Sequence, residues 1–171
     1  MWETETVLVH SARTAVAAIV SVLAARLFQL PETYWAAITT LVITQSSLGA
    51  ALSVSWERFI GTALGAAVGA AVATYFGPRV FVYGVSIFLL GLLCAVTRSD
   101  RSAYRFGGIA LTIVFLVPRT GSAWQVAVHR FSEVSIGIVV ALILTLIWPE
   151  REWKPRQTHR SISHARKRGA A

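Results

Sequence analysis

Arg130 and Glu133 are the only residues charged at neutral pH between Arg119 and Glu150, and they stand three apart. On a helix that spacing puts both on one face, where they can pair. A guanidinium stays cationic and can fork onto a carboxylate with two hydrogen bonds. Two chemistries fit. In the first, Arg130 binds an anion, and Glu133 neutralises it while the site is empty. An arriving carboxylate then competes with Glu133, which becomes available to relay a proton. In the second, the two form a structural ion pair near a membrane interface. Arg58, beside Glu57, is a further candidate. It reads either as an anion-binding arginine at the inner mouth or as a cytoplasmic anchor. Thr39, Thr40, Thr44, Gln45 and Ser46 bring hydroxyl and amide groups together. They can line a polar path, or their hydroxyls can satisfy carbonyls of their own helix.

Other chemistry is not expected. No nucleophile with a base, paired catalytic carboxylates, metal-ligand cluster or phosphate-binding loop can be read in the sequence, so neither an enzyme nor a cofactor is anticipated. The single cysteine, Cys94, lies in an apolar run and reads as packing. His129 is a lone histidine near a helix end. Gly61, Gly65 and Gly69 form two overlapping Gly-x3-Gly motifs, which let helices approach closely. Gly137 stands at the same distance from Arg130 as Gly65 from Arg58.

What must position these residues follows from composition. The chain is 55% hydrophobic and only 14% charged, against about 25% charged in soluble domains. Its charges are bunched between long uncharged runs, as in membrane proteins and not in soluble helical ones. The formal charge is +8, but seven of sixteen Lys/Arg follow Pro149. The basicity therefore belongs mostly to a tail suited to anionic lipid, and a nucleic-acid partner is not expected. Glu3 and Glu5 occupy the place where a cleavable signal carries basic residues, so the first span is expected to be retained.

The expected fold class is all-α, an integral membrane bundle of six transmembrane helices. A polar lead covers 1–9, and the spans cover 10–28, 33–49, 57–76, 79–97, 106–118 and 124–148. Arg13 and Arg26 near the ends of the first span are expected to snorkel to the headgroups. The fifth stretch is short for ~30 Å of hydrocarbon and could begin near Ser102. Residues 150–171 are expected to be a basic, disordered cytoplasmic tail. Tyr34, Trp35, Trp56, Trp124 and Trp148 read as an interfacial aromatic belt. Counted by side, Lys/Arg fall twelve to four, which puts both termini in the cytoplasm.

A shift of 72 residues aligns Arg58-Phe59 with Arg130-Phe131, Gly65 with Gly137, Thr40 with Thr112 and Gly49 with Gly121. This divides 10–149 into two units, 10–78 and 79–149. Three spans per unit give consecutive copies opposite topology. Inverted repeats are a recurrent transporter plan, with the site at the repeat interface and often at short or broken helices. The competing reading is two unrelated hairpins with similar loop glycines.

At Tyr34-Trp35-Ala36-Ala37-Ile38-Thr39, Gln45-Ser46-Ser47-Leu48-Gly49 and Arg58-Phe59-Ile60-Gly61-Thr62-Ala63-Leu64-Gly65 the chain resembles the fusaric acid resistance-like, or aromatic acid exporter, family. The resemblance covers roughly 10–150. It implies a bacterial inner-membrane module linked to efflux of aromatic carboxylic acids and related anions. The expected function is an exporter of small aromatic or amphipathic organic anions, driven by protons. The alternatives are an anion channel and a non-transporting membrane subunit of a larger efflux assembly. The larger members of the family carry more than one module's worth of chain, which makes a homodimer or other homo-oligomer attractive. The partners expected are thus a small organic anion, the lipid bilayer and further copies of the chain.

Overall fold

The computed structural model describes residues 2–44, 47–77, 79–97, 101–117 and 121–148. Six α-helices hold most of them: α1 (Trp2–Leu27), α2 (Tyr34–Thr44), α3 (Leu48–Phe76), α4 (Val80–Val96), α5 (Arg101–Leu116) and α6 (Ala123–Ile147). No strand occurs among the described residues. Stretches of α1, α3 and α6 are long and apolar enough to cross a membrane, and α2 and α4 are shorter apolar helices. Large apolar side chains such as Leu27, Val80, Phe81 and Ile147 point outward. The fold is a helical membrane bundle, whose outer surface suits lipid and whose backbone polar groups are satisfied within helices.

Local signals set the boundaries. After α1, Gln29 adopts a left-handed φ of 53°, and Pro31 then disfavours helical geometry before it. Gly77, at φ 69°, ends α3 in a conformation that costs glycine little. Ser122 and Gln125 form a capping box that starts α6, satisfying two of the donors a helix start leaves free.

Three boundaries differ from the sequence expectation. First, α1 begins at Trp2, so the expected polar lead is helical. Arg13 then lies about 17 Å into the helix. It is 1% exposed and donates from Nη2 to Thr145 Oγ1 of α6 at 3.2 Å. It is an interior residue and does not snorkel; Arg26, in the last turn, is exposed. Second, α2 has only 11 residues, about 16 Å of rise, and does not extend to residue 49. Third, α3 starts at Leu48 and not at residue 57, giving 29 residues, about 43 Å of rise. The serines of 48–56 gave that stretch the look of a loop. It contains no proline, though, and Ser53 Oγ donates to Glu57 Oε1 one turn on, at 3.1 Å. The fifth helix starts at Arg101, one residue before the earlier of its two expected starts. The expected tail at 150–171 lies outside the described residues, as do Gln45 and Ser46.

Packing pairs the two halves crosswise. α3 lies chiefly on α5, and α6 chiefly on α2 among the first-half helices besides α3; α1 covers α2 and α6, while α4 covers α5 and α3. Exchanging α1, α2 and α3 for α4, α5 and α6 leaves that pattern unchanged. Small residues allow the close approaches. A Cβ on Gly65 would lie 2.6 Å from the Gly107 carbonyl carbon and 2.7 Å from its Cα. A Cβ on Gly61 would meet the backbone of Ala103 and Gly107. On Gly137 it would lie 2.6 Å from Thr39 Cβ, and on Gly69, 3.2 Å from Leu111 Cα. Where α3 and α6 meet, Phe59 and Phe131 stack at an angle with ring centroids 4.9 Å apart. These two are 72 residues apart in sequence.

Candidate functional site

Arg58 is ten residues into α3, about 15 Å, and Arg130 seven residues into α6, about 10 Å. Neither sits at a helix end, and they are 6% and 3% exposed. Both line one small cavity inside the bundle, together with Thr62, Val134, Trp35 and Phe106. Two pairs in the lining are related by the 72-residue shift, Arg58 with Arg130 and Thr62 with Val134. Apolar residues of α5 complete the wall. Each guanidinium stacks on an aromatic ring from the short helix opposite. Arg130 Cζ lies 4.2 Å from the Trp35 ring centroid, and Arg58 Cζ 4.8 Å from that of Phe106. Cation–π contacts of this kind reach about 2 kcal/mol when desolvated.

The two arginines differ in their polar partners. Arg130 Nη2 donates to Glu32 Oε2 at 2.6 Å, and Nη1 to Glu133 Oε2 at 3.3 Å. Its Nε is buried without a hydrogen-bond partner among the described residues. Glu133, 1% exposed, uses Oε1 to accept the Glu32 backbone N–H at 3.0 Å. Arg58 Nε donates to Thr39 Oγ1 at 3.2 Å, and no carboxylate meets Arg58 among the described residues. Removing a cation from water costs several kcal/mol unless it is well paired. Arg58 is therefore an expensive residue for packing alone.

The cavity volume is about 10 Å³, room for about one water molecule. Neither Glu32 nor Glu133 is part of its lining; they hold Arg130 from outside it. Thr40 and Thr44 also lie off the cavity. Thr44 Oγ1 donates to the Thr40 carbonyl at 2.7 Å. Thr40 Oγ1 lies within hydrogen-bonding distance of two carbonyls, Ala36 in its own helix at 2.9 Å and Gly137 of α6 at 3.0 Å. Its hydroxyl thus helps join α2 to α6. Thr39, by contrast, reaches the site through Arg58. His129 is exposed and takes no part.

Three contributors were not legible in the sequence. Glu32 read as part of a helix break, Trp35 as a belt residue, and Phe106 carried no signal. Glu32 and Trp35 are three apart, and Trp35 Nε1 donates to Glu32 Oε2 at 3.1 Å. That local spacing was the available clue.

Residues 17–144 match the family described as fusaric acid resistance protein-like. The chain belongs to that family. Within the fusaric acid resistance-like proteins it is 30% identical over 151 residues to Inner membrane protein YeeA of Escherichia coli (strain K12), covering 84% of this chain and 42% of that protein. It is 29% identical over 140 residues to Aluminum-activated malate transporter 10 of Arabidopsis thaliana, covering 75% and 28%. It is 28% identical over 133 residues to Inner membrane protein YccS of Escherichia coli (strain K12), covering 77% and 18%. This fusaric acid resistance-like chain thus spans less than half the length of these relatives. No solved structure matches it.

Proposed function

We propose that this chain is a transport module of the bacterial inner membrane that exports small aromatic or amphipathic organic anions. Arg130 is the principal cationic contact and Arg58 the second. The observation that carries the reading is the convergence of two buried, repeat-related arginines on one cavity, each backed by an aromatic ring. Guanidinium and ring together favour a ligand with a carboxylate and an apolar body. The relatives, an inner membrane protein and a malate transporter among them, agree with an anion-transport role in a membrane.

In this reading the two three-helix units are inverted repeats, and the anion site lies between them, beside the short α2 and α5. Both termini face the cytoplasm, as the charge asymmetry favours. Ligand pockets occupy about 300 Å³ or more, so a cavity of water size is a closed state. Rocking of one unit against the other, about the Phe59–Phe131 contact, opens it. Glu133 couples the cycle to protons, because it is the buried titratable partner of Arg130. Gln45 and Ser46 extend the polar path from the end of α2. The transporting unit in this reading is a homodimer or other homo-oligomer.

A second reading is a membrane subunit that transports only within a larger assembly. Proteoliposomes separate the possibilities with benzoate as probe. Uphill flux that depends on a pH gradient supports the exporter. A current that reverses at the benzoate equilibrium potential supports a channel, and no flux supports the subunit.

A further inference from the structure

Glu32 makes contacts that a packing role does not require. It sits in the connection between α1 and α2, and its side chain is 36% exposed, whereas those of Arg130 and Glu133 are 3% and 1% exposed. Its Oε2 collects two donors that converge from different directions, Arg130 Nη2 at 2.6 Å and Trp35 Nε1 at 3.1 Å. The same indole ring stacks on the Arg130 guanidinium. Cation and indole N–H thus converge on one carboxylate oxygen while the indole face backs the cation, and the carboxylate belongs to a connecting segment and not to a helix. The Glu32 backbone N–H is tied to Glu133, so the segment is latched at both its main chain and its side chain. At the 72-residue offset the counterpart of Glu32 is Tyr104, inside α5, and Arg58 has no acid in the corresponding place among the described residues. The latch exists on one half only.

We propose that the Glu32 carboxylate is a tethered stand-in for the transported carboxylate, and that Arg130 Nη2 and Trp35 Nε1 form the carboxylate subsite it occupies. This rests on the reading of Arg130 as an anion site. A free organic carboxylate occupies the subsite by displacing Glu32, takes over both donors, and frees the α1–α2 connection to swing away from the guanidinium. Glu32 is half-exposed in the connection one crossing away from the termini, so in export this is the side from which the anion leaves. The water-sized cavity that Arg130 shares with Arg58 is the way by which the anion reaches this subsite from the Arg58 side. Because the latch is one-sided, the Arg130 half closes over an empty site and the Arg58 half does not.

The test is radiolabelled benzoate binding to the full chain in nanodiscs, with wild type, Glu32→Gln, Glu32→Asp, Trp35→Phe and Arg130→Gln compared at matched monodispersity. Removing a charged intramolecular competitor should tighten benzoate binding about tenfold or more, as expected for a charge-assisted hydrogen bond. Glu32→Asp keeps the charge and should stay closer to wild type. Trp35→Phe keeps the ring but loses the N–H, and should weaken binding severalfold. Unchanged or weaker binding by Glu32→Gln, with binding abolished in Arg130→Gln, overturns the stand-in while leaving the arginine site in place. Equal tightening by Glu32→Asp also overturns it, since shape and not charge would then be at work. Wild-type binding by Arg130→Gln overturns the anion-site reading itself, and with it the stand-in. So does the absence of benzoate binding in both wild type and Glu32→Gln.

Discussion

Replacing Gly65 by alanine adds one methyl group at the tightest point between α3 and α5. A Cβ there would sit 2.6 Å from the Gly107 carbonyl carbon, about 0.8 Å short of an ordinary contact. The obstacle is backbone, so no rotamer change relieves it, and the two helices must part. Alanine gains up to about 1 kcal/mol in helix propensity over glycine. Overpacking costs about 1–3 kcal/mol in a core, and a backbone clash belongs at or above the upper end. The net expectation is a loss of about 2 kcal/mol, which for a chain of this size lowers the melting temperature by about 4–8 °C. Two internal controls share the chemistry without the clash. Gly69→Ala meets its neighbours at 3.2 Å, one of them the movable Val114 side chain, and should be near neutral. Gly84→Ala meets nothing within 4 Å and should be neutral or stabilising. Gly65→Leu should disrupt the bundle altogether. The assay is thermal unfolding in detergent by intrinsic fluorescence, with gel filtration before and after. A Gly65→Ala variant that melts with wild type, or a Gly69→Ala variant that falls further than it, refutes the close-approach reasoning.

Other substitutions separate structural from transport roles. Arg58→Gln removes a buried cation that meets no carboxylate among the described residues, so it should leave melting unchanged or raised by a few degrees, while benzoate affinity falls about tenfold. Reconstituted binding and unfolding measured on the same sample check both halves. Glu133→Gln should leave benzoate binding nearly intact yet flatten the dependence of flux on pH across about 5.5 to 8; a retained pH profile in vesicles assigns the coupling elsewhere. Thr40→Val loses the link to the Gly137 carbonyl and should cost about 0.5–1 kcal/mol of stability with flux unchanged. A flux loss without destabilisation would put Thr40 on the path.

The sequence made some of this visible and hid the rest for physical reasons. Six apolar stretches and the glycine stripe are local features, and they foretold a helical bundle with close packing on α3. The Arg130–Glu133 pair was visible because its spacing is helical. The depth of Arg58 was not. Serines disguised the first turns of α3 as a loop, which left Arg58 at an apparent helix end and allowed an anchoring role. Arg13 was misplaced in a similar way, because the polar residues of 1–9 were read as a lead before the first span and not as its first turns. Glu32 and Phe106 meet their arginines across large sequence separations, and only the crosswise packing of the halves brings them together. The offset of 72 residues carried that information only in part, since it matched Arg58 with Arg130 but offered no acid to match Glu32.

The most direct test of an anion site at Arg130 is benzoate flux into vesicles by Arg130→Gln and Arg130→Lys, with insertion and monodispersity confirmed for each. Arg130→Gln should abolish flux. Arg130→Lys keeps the charge but loses the planar fork and the stack on Trp35, and should retain a small fraction of it. Wild-type flux in a stably inserted Arg130→Gln variant would contradict the account and leave Glu32, Arg130 and Glu133 as a structural ion cluster.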